Sequence, residues 1–396
     1  MDSLPYYISW TKQNNASTFP IESVDGVKIK TTDGLTLTDM TSISYQAHFG
    51  HNHPEIIKQI KLQLDSIPMS SPKGITPHKN AITRELLDYM DLPEGKIFYT
   101  TGGSETIENA LKIARDITKR KIVLARKTSY HGATLGALTA TGDWRNAGHQ
   151  LPENWVVRIP EPSEVDAIIK TRQIVRDIGH QNIAAIIIET ITGGNGVYSA
   201  TQEWWDGIST ICRESKIMLI MDEVVCGFER TGKAFGYMHY DVNPDMICLA
   251  KGITGGMIPF GALWTNQKIS DYYQENVLSC GLTNYAHPLG MAAMKGVLNI
   301  VKNDSFKENL KEVEKFFLHS LRDIEKLKNV KEVRVHGMLA AIDLTQSIEW
   351  KSFYKKGLYL VSQPNRIILA PPLIISPQEL SEAMKQIHLV IKEHEK

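Results

Sequence analysis

Two charged residues stand where apolar runs end. Lys251 closes "MICLAK" (246–251) and is followed by Gly-Ile-Thr-Gly-Gly; Asp222 closes "IMLIMD" (217–222). In an open α/β sheet, ligands bind beyond the carboxyl ends of the strands, so both side chains are displayed where function collects. A lysine near a buried site needs a reason, because desolvation penalises its charge. An amine kept available as a nucleophile toward a carbonyl is such a reason. The glycines after Lys251 let backbone approach a bound molecule. An aspartate at a strand end is, by itself, equally a turn cap. Gly102-Gly103-Ser104 separates the run "KIFYTT" (96–101) from a helical pattern. Open N–H groups and the positive dipole end make an anion site there; Ser104 serves equally as a plain helix cap. Tyr130 follows the run 121–127 and presents a flat ring, to stack on a planar ligand or to pack its loop.

Two other patterns carry less. Gly227-Phe-Glu-Arg-Thr-Gly232-Lys233 has the glycines and lysine of a phosphate-binding P-loop, but the next residue is Ala234. That motif needs a Ser or Thr hydroxyl there for magnesium, so nucleotide binding is set aside. His48, His51 and His53 lie close together, yet no further His or Cys pair completes a metal set, and imidazoles capping backbone groups is the favoured reading.

The elements that must position these residues are legible from their periodicity. Apolar runs at 96–101, 121–127, 183–190, 216–223, 245–251 and 260–266 suit strands covered on both faces. They alternate with helical segments, among them 104–120 with Ile107, Ala110, Leu111 and Ala114 on one face. The expected fold is therefore α/β with a mainly parallel sheet. The stretch 24–40 reads as a β-hairpin, and residues 304–396 as charged helices with short strands. Both ends are expected to form one smaller α+β domain: 1–48 its first part, 49–303 the large domain, 304–396 its second part.

Composition limits the function class. Lys+Arg and Asp+Glu are both 44, so no global field draws the chain to nucleic acid or to an anionic membrane. The longest apolar runs, such as 183–188, are far too short to span a bilayer, and the opening ten residues lack a signal-peptide pattern. Four scattered cysteines without a C-x-x-C pair read as reduced thiols, which places the protein in the cytoplasm.

Jointly, a strand-end lysine, a strand-end aspartate, a helix N-terminus and an aromatic ring describe a site for pyridoxal 5′-phosphate. At this point the residues resemble the class III aminotransferases of fold type I. The resemblance rests on "GGSETIENALKIAR", "YHGATLGALTATG", "DEVVCGFERTG", "PDMICLAKGITGG" and "GLTNYAHPLGMAA", with "GHNHPEI" and "APPLIIS" toward the ends, in the family's order along nearly the whole chain. It implies a large domain with a seven-stranded, mainly parallel sheet and no metal. It makes Lys251 the Schiff-base lysine and proton shuttle, with Asp222 the partner of the pyridine nitrogen. Val224 lies beneath the ring and Tyr130 above it, and Gly103 and Ser104 hold the phosphate. Glu189 is the acidic residue near the ring, and His131 orders its loop. Thr283 reaches the phosphate of a neighbouring subunit, which implies a homodimer or a dimer of dimers.

Three departures from the family's pattern bear on substrate. Gly194 stands where glutamate-using relatives carry a glutamate, and Ile368 where they carry the switching arginine before "APP". Val361 stands at the mobile arginine of pyruvate-using relatives. Arg366 is the nearest arginine, either an anion ligand or an ordinary surface residue. Arg145, in "TGDWRNA", is a second candidate, with a loop salt bridge as its alternative. Tyr45 stands where relatives place a pocket aromatic; core packing is its alternative. The expected reaction moves an amino group from an ω-amino acid or primary amine to a keto acid, pyruvate before 2-oxoglutarate. An aminomutase, decarboxylase or racemase on the same fold is the second reading.

Overall fold

The computed structural model describes residues 4–16, 18–149, 151 and 154–395, so the reading of the extreme N-terminus falls partly outside it. Three strands open the chain: β1 (Ser23–Asp25), β2 (Lys28–Lys30) and β3 (Thr36–Asp39). Seven follow: β4 (Lys96–Thr100), β5 (Ile122–Arg126), β6 (Val156–Ile159), β7 (Ile183–Glu189), β8 (Met218–Asp222), β9 (Met246–Leu249) and β10 (Gly261–Thr265). Five close it: β11 (Val330–His336), β12 (Leu339–Leu344), β13 (Leu358–Tyr359), β14 (Val361–Gln363) and β15 (Arg366–Leu369).

The seven middle strands form one sheet in the order β4-β10-β9-β8-β7-β5-β6. All its pairings are parallel except those of β10, which runs antiparallel to both neighbours. Every residue of β7 is buried, as expected of a central strand with helices on both faces. Its β-branched residues suit that role, since each fully buried isoleucine contributes about 1.5–3 kcal/mol. The six apolar runs singled out above are six of these strands. The seventh, β6, is an edge strand whose Arg158 breaks the apolar pattern while donating to the carbonyls of Thr139 and Thr141.

The helix Gly103–Thr118 begins directly after β4. It buries Ile107, Ala110, Leu111, Ile113 and Ala114 against the sheet and ends at Lys119 in a left-handed cap. Glu105 in its first turn complements the helix dipole.

The opening stretch is a three-stranded meander rather than a single hairpin. Gly26 at φ +53° makes its first turn and Gly34 at φ +86° lies in its second. β3 then pairs in parallel with β13, so the N-terminal sheet is completed from the far end of the chain. The remaining strands form an antiparallel sheet, β11-β12-β15-β14. Two long helices accompany it, Asp304–Ile324 and Pro377–Glu393, the latter with a Ser376/Glu379 capping box.

Candidate active site

Sheet register does the first part of the assembly. Glu189 at the end of β7 is the register partner of Asp222 at the end of β8, and Asp222 is that of Cys248 in β9. Lys251 lies three residues beyond Cys248. Glu189, Asp222 and Lys251 therefore emerge side by side from three adjacent parallel strands, the place such sheets reserve for ligands. They line a cavity of about 510 Å³ together with Gly103, Ser104, Tyr130, His131 and Val224.

Lys251 sits at φ +49°, a left-handed backbone that only a well-determined surrounding sustains in a lysine. Burial pushes its amine below the ordinary lysine range, while Asp222 and Glu189 pull it back. Its Nζ lies 5.0 Å from the centroid of the Tyr45 ring. Asp222 accepts from the Val224 N–H at 3.1 Å and faces His131 Nδ1 at 2.8 Å. With a carboxylate opposite, Nδ1 carries the ring proton. His131 was expected to order its loop. Its backbone N–H donates to Thr141 Oγ1 at 2.9 Å, and its ring faces Asp222. Glu189 accepts from the Tyr130 and Gly193 N–H groups at 3.0 and 3.1 Å, and burial raises its pKa.

The cap position of the helix Gly103–Thr118 is Gly102, which has no side chain to give, so the first-turn N–H groups stay open. Ser104 is not the cap: its Oγ accepts from the Ala133 N–H at 3.1 Å. A Cβ on Gly103 would lie 3.1 Å from Val224, so glycine lets the helix end approach the floor of the cavity.

The substrate candidates separate. Arg145 lines the cavity, with its guanidinium 4.7 Å from the Tyr130 ring centroid and 5.0 Å from that of Trp144. It also pairs with the Asp143 carboxylate, so the salt bridge and the cavity position coexist; its Nε is buried without a hydrogen-bond partner among the described residues. Arg366 is not brought to the cavity. Asp343 holds its Nε at 2.5 Å, the Asn195 carbonyl takes Nη1 at 3.0 Å, and Tyr198 takes Nη2 at 3.1 Å. It ties a loop rather than awaiting an anion. Thr283 is exposed and does not line its own chain's cavity. Ile368 is fully buried in an apolar cluster with Ile191, Val197 and Cys226, against which Tyr45 and Val225 pack. Val361 does line the cavity.

The other singled-out residues go elsewhere. Lys233 is exposed and donates to the Met238 carbonyl at 2.6 Å. His51 faces Asp39 at 3.1 Å, His53 accepts from the Glu55 N–H as a helix cap, and His48 is buried, its pKa driven well down by desolvation. Among the described residues, no group of three or more His, Cys, Asp or Glu side chains is placed to hold a metal ion.

Sequence reasoning missed how Tyr45 is delivered. Ser42, Ile43, Ser44 and Tyr45 all have positive φ, between +42° and +66°. A left-handed turn costs roughly 1–2 kcal/mol per non-glycine residue, and a β-branched residue there is an outlier. No glycine or asparagine marks the turn, so the sequence holds no signal for it. Trp10, Asn195 and Gln363 also line the cavity unannounced.

The donor set fits pyridoxal phosphate. It offers a strand-end amine, a carboxylate for a ring nitrogen, an aromatic wall, and an uncapped helix N-terminus that a glycine brings close.

A family model described as aminotransferase class-III matches residues 10–391. The chain is 31% identical to the acetylornithine aminotransferase of Caldanaerobacter subterraneus subsp. tengcongensis, over 95% of each chain. It is 31% identical to taurine:2-oxoglutarate aminotransferase from Bifidobacterium kashiwanohense, solved with PLP and glutamate, with a TM-score of 0.92 covering 98% of this chain and 95% of that one. An S-selective transaminase from Bacillus megaterium matches with a TM-score of 0.91 at 25% identity, over 100% of this chain and 97% of that one.

Proposed function

The chain belongs to the class-III aminotransferases, and from that premise we propose that it takes the amino group of a short ω-amino acid or primary amine and gives it to pyruvate. It is a transaminase of fold type I that uses pyridoxal phosphate.

One observation carries the substrate reading. Besides Lys251, Arg145 is the single Lys or Arg among the described residues that line the cavity. A donor with a sulfonate or carboxylate a few bonds from its amine would meet that guanidinium. The Bifidobacterium relative is named for taurine, a short ω-amino sulfonate, as donor, though its named acceptor is 2-oxoglutarate. Beyond Lys251 and Arg145, no Lys or Arg among the described residues lines the cavity to meet a second carboxylate, which supports pyruvate over 2-oxoglutarate.

Pyridoxal phosphate, when bound, supplies a carbonyl that condenses with amines and a ring that accepts electrons. The residues supply the rest. Lys251 Nζ, its pKa lowered by burial, would take the proton from the carbon bearing the substrate amine and deliver it, within the same half-reaction, to the carbon that was the cofactor's carbonyl; with the keto acid the transfer runs in reverse. Asp222, oriented by His131, would hold a proton on a ring nitrogen. The first turn of the helix Gly103–Thr118 would hold the phosphate. Tyr130 and Val224 would keep water from the ring, and Arg145 would fix the distal anion.

Thr283 is read as serving the cavity of a second copy, which makes the active unit a homodimer. Its exposure, and that of Met69, Ile75 and Val277, supports a surface a partner would cover. A cytoplasmic location is supported by four free cysteines, and no described helix is long and apolar enough to cross a membrane.

The test is a donor and acceptor screen with the purified, cofactor-loaded protein: taurine, other short ω-amino acids, ornithine and a neutral primary amine, each against pyruvate and 2-oxoglutarate. Consumption of pyruvate equal to donor consumed is expected. Turnover with 2-oxoglutarate alone overturns the acceptor, and donor conversion without any keto acid points to an aminomutase, decarboxylase or racemase.

A further inference from the structure

The loop "GFERTG" after β8 contributes a buried arginine that the chemistry above does not use. Arg230 is fully buried and has no carboxylate partner among the described residues. Its Nη1 donates to the carbonyls of Met338 and Pro371 at 3.0 and 2.7 Å, and its Nη2 to Ser42 Oγ at 3.1 Å. Such a charge is expensive to bury, so its placement calls for a reason.

Ser42 opens the left-handed turn that ends at Tyr45. The turn is held at two points. Asp39, also fully buried, accepts from the Thr41 and Ile43 N–H groups, each at 2.9 Å. Ser42 donates to the Ala370 carbonyl at 2.6 Å while accepting from Arg230. Without these ties the strained run would relax toward an ordinary backbone, and the ring that stands 5.0 Å from Lys251 Nζ would leave its place. Arg230 itself follows Phe228 and Glu229, both at positive φ, so two strained segments meet at one hydrogen bond.

We infer that Arg230 is a positioning residue: through Ser42 it holds the left-handed turn that presents Tyr45 to the cavity, and so sets how tightly the amine donor is bound. The inference rests on the transaminase reading for its assay alone, run with whichever donor the wild-type protein uses. If no donor is turned over by the wild type, the functional reading fails. If a donor is found and the variants bind it normally, this inference fails.

Two single variants, and their combinations with two further substitutions, test it. Ser42→Ala removes the link to the turn and leaves Arg230 bound to Met338 and Pro371. Arg230→Lys keeps the charge and loses the fork. Each should raise KM for the donor about tenfold, with kcat within about twofold and the absorbance of bound cofactor, read before any amine is added, unchanged. In a Tyr45→Ala background neither should raise KM further, because the shared route is already lost. Adding Ile43→Gly to Ser42→Ala should lower KM again, because glycine accepts the left-handed backbone without strain. A wild-type KM in Ser42→Ala overturns the proposal. So does a KM rise that persists undiminished in the Tyr45→Ala background. If Arg230→Lys fails to fold, Ser42→Ala and its rescue decide the matter.

Discussion

His131 Nδ1 lies 2.8 Å from Asp222 Oδ2, and both side chains are buried at the carboxyl end of β8. One Asp222 oxygen is thus fixed by the imidazole and the other by the Val224 N–H. A carboxylate so held cannot rotate, and the negative charge stays aimed at one point. His131→Phe keeps a ring in the space and removes that bond. A lost hydrogen bond to a buried charge is worth about 1.5–3 kcal/mol, so cofactor affinity should fall roughly 10- to 100-fold. Absorbance titration of cofactor-free protein measures it; unchanged affinity and turnover would leave His131 as a loop residue only.

Lys251→Ala should leave the fold intact and abolish turnover, since no other lysine among the described residues lines the cavity to replace Nζ. Far-ultraviolet circular dichroism checks the first part and a keto-acid assay the second. Appreciable residual transamination would sink the assignment of Lys251.

The charges around Lys251 give a pH prediction with a definite sign. Burial lowers its pKa; Glu189 raises it. Only the neutral amine condenses with a carbonyl, so cofactor loading should speed up as pH rises through the Lys251 pKa and level off below the ordinary lysine range of ~10.4. Glu189→Gln removes an upward pull, so its loading curve should move to lower pH. A shift to higher pH would contradict the electrostatic picture.

Much of this site was legible because strand ends and helix starts leave marks. Lys251 and Asp222 each follow an apolar run, and Gly102-Gly103 precede a helical period, so fold and cofactor pole could both be read. The substrate pole could not. Arg145 and Arg366 each pair with an aspartate, and only tertiary placement tells them apart: Arg145 lines the cavity, whereas Arg366 ties a loop away from it. Tyr45 was marked as a pocket residue, but Ser-Ile-Ser-Tyr carries no glycine to announce a left-handed turn. That conformation is imposed by Asp39 nearby and by Ala370 and Arg230 far along the chain. β6 went unmarked for a related reason, since an edge strand with an arginine lacks the period that betrays a buried one.

Arg145→Ala separates anion recognition from chemistry. The guanidinium lies over Tyr130, pairs with Asp143, and is the one arginine among the described residues that line the cavity. Loss of a charge-assisted contact should raise KM for a sulfonate or carboxylate donor about 10- to 100-fold. A neutral primary amine should keep its KM within roughly threefold. Equal losses for both donors would mean that Arg145 only packs against Tyr130.

A stability prediction comes from outside the site. Glu314, on the helix Asp304–Ile324, is pushed up to about 7 by burial and by the nearby Glu229, and its Oε1 has no hydrogen-bond partner among the described residues. The ordinary glutamate value near 4.5 applies once the chain unfolds. Between those values the folded protein binds the extra proton, so stability falls as pH rises from about 4.5 to about 7. The full shift corresponds to about 3 kcal/mol, but the side chain is partly exposed, and solvent screening leaves roughly 1–2 kcal/mol. Glu314→Gln keeps the shape without the charge. It should unfold at higher denaturant than wild type at pH 8 and at nearly the same denaturant at pH 5. A variant less stable than wild type at pH 8 would mean that the Glu314 carboxylate is compensated by a partner the packing does not reveal.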